Sequence, residues 1–325
     1  MRARAYQRGA AILTAMLTVT LVATFAAAAL WQQWRSVEVE TAERTRTQMA
    51  WVLTGALDWA RLILREDGRT SQVDNLSEPW ALPLAEARLS SFLAVDKNNP
   101  DGAMEAFLSG QITDLQGLLN VGNLVSEGKR SEPDVKVFAR LFKLLNLRQS
   151  QLDDLVSNLL TAAAGSGGAT GSSQFMPTRF DQLAWLGVPQ STLNALAPYA
   201  TLLPGRTTVN LNTAPAPVLV AVLPGLDAGQ AQQMVARRAL AHYPTVADGL
   251  KAAGISADKV DSTQLGVATR YFAVRGQLRI ADTTVQELSL IDRQGTNVKV
   301  LWRKREALSS PAPQPASVAA SASLQ

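Results

Sequence analysis

From Gly9 to Trp34 the chain carries no charged residue, a run of 26 positions (34 − 9 + 1). No other feature limits the fold as strongly. A helix of about 20 apolar residues crosses the hydrocarbon core of a bilayer, so this run is long enough to span one. An ordinary secretory signal is shorter, with an apolar region of about 7–15 residues before a small-residue cleavage site, and Ala26 to Ala29 offer such a site. Arg2, Arg4 and Arg8 precede the run and Trp31 and Trp34 close it. Cations on one flank hold that end in the cytoplasm, and aromatic rings suit the interfacial belt on the other. The expectation is a single-pass anchor with a cytoplasmic amino terminus.

Beyond the run, Met49, Val52, Leu53, Ala56, Trp59, Ala60 and Ile63 recur at three- and four-residue steps, predicting one apolar helix face. "REDGR" then ends the helix, with Gly68 as its stop. "EARLSSFLA" and "AFLSGQITDLQGLLNVGNL" read as strands around the turn-rich "VDKNNPDG". From Glu127 the pattern turns helical, in "VKVFARLFKLLN", "LDDLVSNLLTAAA" and on to about Val260, with "GSGGATGSSQ" as a flexible interruption. Strands return in "TRYFAVRGQLRIAD", "TVQELSLIDR" and "NVKVLWRKRE", the last two joined by the polar turn "RQGT". The tail "SSPAPQPASVAASASLQ" has the composition of a disordered segment. Strands that flank a helical block predict an α+β protein with a helical domain inserted into an αβ domain.

Composition restricts the chemistry. With no cysteine, disulfides, thiolate metal sites and cysteine nucleophiles are excluded. His242 is the single histidine, standing in "ALAHYPTV" with no partner set around it in sequence. There is no Gly-x-Ser-x-Gly, His-Glu-x-x-His or phosphate loop, so the chain does not read as an enzyme. A formal net charge of +4, part of it in the leader, does not require a nucleic-acid partner.

The boundary Arg8-Gly9-Ala10 resembles the type IV prepilin motif. That likeness implies cleavage between Gly9 and Ala10 by a prepilin peptidase and methylation of Ala10 as the new amino terminus. Glycine suits the position because, without a Cβ, it lets a protease backbone approach closely. Most pilins carry Glu five residues into the mature chain; here Thr14 stands there. Together with "GQITDLQGLLNVGNLV", "VNLNTAPAPVLVAVLPGLDAGQAQQMVARR" and "TRYFAVRGQLRIAD" with "VLWRKRE", the chain is similar to the K-type minor pseudopilins of bacterial type II secretion, from the leader to about Glu306.

The resemblance implies a leader over 1–9, a transmembrane helix over 10–34, and a pilin-like antiparallel αβ domain over 35–126 and 263–306. It also implies an all-helical insertion over 127–262, containing a helix-hairpin-helix-like segment, and a disordered tail over 307–325. The implied function is to form or cap the tip of the periplasmic pseudopilus, with no catalysis. The implied partners are other minor pseudopilins, the prepilin peptidase, the inner-membrane secretion platform and inner-membrane lipid, with no nucleic acid. The family is associated with calcium in its αβ portion, which makes Asp96, Asn98, Asn99 and Asp101 of "DKNNPDG" candidate oxygen ligands.

Asn210-Leu211-Asn212-Thr213 followed by Leu223-Pro224-Gly225 also resembles helix-hairpin-helix DNA-binding modules, as in the anchored receptors of DNA uptake. Such hairpins hold a phosphate on backbone amides at a helix start. Asp227 stands where their second Gly would be, and its carboxylate would repel phosphate and cap its own helix instead. Thr213 is expected to cap a helix begun by Pro215, with Val218, Leu219, Val222, Ala231, Met234 and Val235 facing a core. A simple anchored periplasmic binding domain is a third reading.

Overall fold

The computed structural model describes residues 7–89, 105–165, 176–280 and 283–309. The chain divides at Gly55 into two compact units, residues 1–55 and residues from Ala56 onward. Helix α1, Gln7–Thr70, supplies every described residue of the first unit and opens the second.

In the second unit α1 buries Leu57, Ala60 and Leu64, which stand at helical three- and four-residue steps and therefore share a face. They pack on Trp80, Ile112, Phe272, Val274, Ile291 and Val298. Trp80 lies edge-on to Phe272 with ring centroids 5.2 Å apart. Of the expected stripe Met49, Leu53 and Ala60 are buried, Val52, Ala56 and Ile63 are partly buried and Trp59 is exposed, while Leu57 and Leu64, outside the expected set, are buried. Each fully buried Leu or Phe here contributes about 1.5–3 kcal/mol.

After α1 come β1 (Leu84–Arg88) and β2 (Ala106–Asp114). The segment expected to continue as strand beyond Asp114 instead forms the short β3 (Leu119–Asn120), a 3-10 turn at Val121–Leu124, and the small hairpin β4 (Val125–Ser126) and β5 (Lys129–Arg130). Two buried asparagines cause the break. Asn120 Oδ1 accepts from the Gly122 and Leu203 amides, and Asn123 exchanges hydrogen bonds with both backbone groups of Thr207.

The helical block follows: α2 (Glu132–Leu144), α3 (Gln149–Gly165), α4 (Gln190–Leu196), β6 (Ala200–Thr201), β7 (Val209–Asn210), α5 (Ala216–Val222), α6 (Ala228–Leu240) and α7 (Val246–Ala253). Its apolar core includes Phe138, Leu141, Leu155, Leu219 and Met234. β8 (Leu265–Gly266) closes the block by pairing in parallel with β7.

The chain then enters β9 (Tyr271–Ile280), β10 (Thr283–Gln294) and β11 (Asn297–Ser309). The main sheet has the order β1-β2-β9-β10-β11, with every neighbouring pair antiparallel. Thus β2 and β9 are hydrogen-bonded neighbours although α2 to α7 separate them in sequence. A bulge leaves Leu301 unmatched between the pairs Leu290↔Trp302 and Ile291↔Val300, a local twist that blunts an edge strand.

Gly68 does not end α1, which runs on to Thr70. Its role is spatial: a Cβ there would lie 2.5 Å from the carbonyl oxygen of Gly295, in the two-residue β10–β11 turn. Helix propensity alone favours Gly→Ala by roughly 1 kcal/mol. Close approach should win over propensity, so Gly68→Ala is expected to lower the urea midpoint. A raised midpoint would mean the turn moves aside at no cost.

Candidate functional site

Gly9 and Ala10 fall in the first turns of α1. The helix is long and apolar enough to cross a membrane. Its hydroxyls are satisfied locally. Thr14 Oγ1 donates to the carbonyls of Ala10 and Ala11, both at 3.0 Å, and Thr18, Thr20 and Thr24 each donate to the carbonyl three residues back. Such back-bonding removes the need for a polar partner in an apolar medium.

The second feature is a buried junction between sheet and helical block. The alternation of β2 puts Ala106, Leu108 and Ile112 on the core face, and Asp114 in the same phase. Its Oδ1 accepts from the Gln116 amide at 2.6 Å. Its Oδ2 accepts from Asn210 Nδ2 at 2.9 Å, Thr213 Oγ1 at 2.6 Å and Thr269 Oγ1 at 2.6 Å. Burial pushes the Asp114 carboxyl above the ordinary range, against the pull of these four donors. Asn210 Nδ2 also reaches the Asp74 carbonyl, and the Thr269 amide donates to Asp74 Oδ2. Arg293 Nη2 donates to the Thr269 carbonyl and to Asp74. One connected network therefore joins the loop after α1, β2, β7, the entry to β9 and the end of β10.

Asn210-Leu211-Asn212-Thr213 is thus an internal device. Asn212 exchanges hydrogen bonds with both backbone groups of Tyr243, at 3.0 and 2.7 Å. Thr213 does not cap α5. The cap is Pro215, because the Thr213 hydroxyl is turned to Asp114. Asp227 caps α6 in a reciprocal box with Gln230, as the sequence indicated. Of the two arginines in the last turn of α6, Arg237 and Arg238, Arg238 is buried and donates to the Leu211 carbonyl at 2.7 Å. Burial lowers its pKa to about 10. The Gln230 amide is taken by Asp227 and the Arg238 cation by the Leu211 carbonyl, while Arg237 is exposed.

Sequence reasoning missed Asp74, Asp114, Thr269 and Arg293. The available signal was phase: Asp114 and Arg293 continue the inward alternation of their strands. Asp96, Asn98, Asn99 and Asp101 lie outside the described residues. Oxygens of Asp67, Asp74 and Glu78 lie within 4.8 Å of one another, and Arg293 donates to the first two.

An apolar-headed helix whose later turns lie on an antiparallel sheet is the architecture of a pilin-like subunit, with the buried polar groups acting as structural fasteners. Two family models, each described as type II secretion system protein K, match residues 117–205 and 209–268. These matches and the relatives below make the chain similar to the type II secretion system protein K family, a family of minor pseudopilins. It is 26% identical to type II secretion system protein K of Pseudomonas aeruginosa over 324 residues, covering 92% of this chain and 90% of that protein. Against the protein K of Pectobacterium carotovorum subsp. carotovorum the identity is 25% over 339 residues, covering 93% and 97%. A chain in the crystal structure of the GspK-GspI-GspJ complex from the enterotoxigenic Escherichia coli Type 2 Secretion System shares the fold, with a TM-score of 0.64 at 16% identity over 82% of this chain and 98% of that one.

The junction yields a direct test. In Asp114→Asn one acceptor oxygen becomes an NH₂, so at least one of the four donors faces another donor. Stranding a buried donor and breaking the charged acceptor costs about 2–4 kcal/mol. Urea unfolding should show that loss, and Thr213→Val, which removes a single hydroxyl, should lose only about 1 kcal/mol. Equal losses for the two variants would contradict the assignment of Asp114 as the hub.

Proposed function

We propose that this minor pseudopilin caps the tip of the periplasmic pseudopilus after a prepilin peptidase cuts between Gly9 and Ala10 and Ala10 is methylated. Residues 10–34 then anchor it in the inner membrane, with the carboxyl-terminal part in the periplasm, until the secretion platform extrudes it. The αβ part comprises 35–126 and 263–306, and residues 127–262 form an inserted helical domain. Other minor pseudopilins are its immediate partners. The solved GspK relative is in complex with GspI and GspJ, which makes their counterparts the first choice. Asp96, Asn98, Asn99 and Asp101 remain the proposed oxygen donors for calcium.

Thr14 carries this reading. In pilin-like fibres a Glu at that position pairs with the amino terminus of a neighbouring subunit in the apolar spine. An unpaired carboxylate there would cost several kcal/mol. Thr14 closes its own hydrogen bonds on Ala10 and Ala11 and requires no neighbour. A subunit with nothing above it fits that chemistry, while the amine of Ala10 stays available to the Glu of the subunit below. The bulk of the helical block supports the same position, since it would obstruct a thin fibre at every repeat but not at an end.

Pseudopili assembled with a tag placed after Ser309 should carry label at one end only. Intact mass of the fibre-bound chain should start at methylated Ala10. Label at regular intervals along the fibre would contradict the cap, and a chain beginning near Ala29 would contradict the processing.

A further inference from the structure

Three carboxylates meet one guanidinium beneath the last turn of α1. Asp67 comes from that turn, Asp74 and Glu78 from the loop after it, and Arg293 from the end of β10. The side chains of Asp67, Asp74 and Arg293 are 8%, 3% and 7% exposed, so water does little to screen them. Arg293 Nη1 donates to Asp67 Oδ2 and Nη2 to Asp74 Oδ1, while the guanidinium also lies 4.7 Å from the Phe272 ring centroid. Glu78 Oε2 accepts from the Asn75 amide at 3.0 Å and Trp80 Nε1 at 2.7 Å.

The charges do not balance. Three ionised carboxylates against one arginine leave two uncompensated negative charges, with Glu78 partly buried and the other two buried, and neighbouring ions are otherwise engaged. On β10, Asp292 takes both arms of Arg270. On α1, Glu66 pairs with Arg69, and Arg61 with Asp58. Like charges this close disfavour joint ionisation, so one carboxyl holds a proton. Two of the three oxygens already face Arg293, and the third carboxylate, Glu78, has two neutral donors on its own Oε2.

We propose that Asp67 keeps a proton in the folded chain and that this proton latches the last turn of α1 to the β10–β11 hairpin beside the Glu78 carboxylate. With it bound, the group carries a single negative charge, held on Glu78 by the Asn75 and Trp80 N–H donors, and Arg293 is neutralised by Asp74. When the proton leaves, Asp67 and Glu78 repel at the turn whose Gly68 lies against Gly295. Burial, and next the Glu78 charge, push the Asp67 carboxyl up to about 6 despite Arg293. An unfolded Asp titrates near 3.9. The folded chain therefore binds more protons than the unfolded chain between those values. The stabilisation is complete below about 4, falls as pH rises through about 6, and is absent above that.

The test is the melting temperature of the full-length chain in detergent with EDTA, between pH 7.5 and pH 5.0. On acidification the wild type should gain about 4 °C more than Asp67→Asn, whose amide cannot titrate. Glu78→Gln should keep a gain but move its midpoint well below that of the wild type. A gain of the same size in Asp67→Asn would overturn the proposal, as would an unmoved midpoint in Glu78→Gln. Added calcium that stabilises the wild type at pH 7.5 but not Asp67→Asn would also overturn it, by assigning the cluster to a cation.

Discussion

The hydrogen bonds converging on Asp114 are the interaction on which the rest of the molecule depends. The carboxylate sits at the end of β2, where the chain leaves the sheet for the helical block. Two of its donors, Asn210 and Thr213, flank the entry to α5, and a third, Thr269, stands where the chain re-enters the sheet at β9. Exit, middle and return of a long excursion are thereby fixed at one point. A buried carboxylate with no cation hydrogen-bonded to it among the described residues is tolerated because several donors satisfy it together. The same condition makes it sensitive: taking away one partner leaves the others unsatisfied inside the protein.

That arrangement reconciles two packed regions with one body. The helical block has its own apolar core around Phe138, Leu141 and Leu219, and the sheet has another around Leu64, Phe272 and Ile291. Between them the contacts are chiefly polar and directional, with a smaller apolar patch of Leu203, Tyr271 and Leu290. Hydrophobic burial fixes how much surface meets, but directional bonds to Asp114 and Asp74 fix the orientation. A satisfied polar network resists reorientation better than apolar surfaces, which can slide.

Much of this was legible in the residues. The long apolar helix follows from an uncharged run, the last three strands from their alternation, and the cap of α6 from Asp227. Asp227 was read as serving its own helix, and it does. The misses have one physical origin. Gly68 and Thr213 were assigned local duties, a helix stop and a helix cap, while their partners lie far along the chain, at Gly295 and Asp114. Local propensity describes what a residue does for its neighbours in sequence, so contacts across the fold escape it. Asp114 and Arg293 were visible only as charges in the inward phase of their strands, a signal that requires the register first. The apolar stripe of α1 was right at Met49, Leu53 and Ala60 but took Trp59 in place of Leu57 and Leu64, because periodicity alone does not distinguish adjacent apolar faces of one helix.

The central claim, that buried polar bonds unite the sheet and the helical block into one cooperative body, is tested most directly by native-state hydrogen exchange. Amides of Phe138 and Leu141 in α2 should open with the same free energy and the same denaturant dependence as those of Phe272 and Val274 in β9. Exchange of α2 to α7 through a separate, lower-energy opening, while β9 and β10 stay protected, would show that the block unfolds on its own and contradict the account.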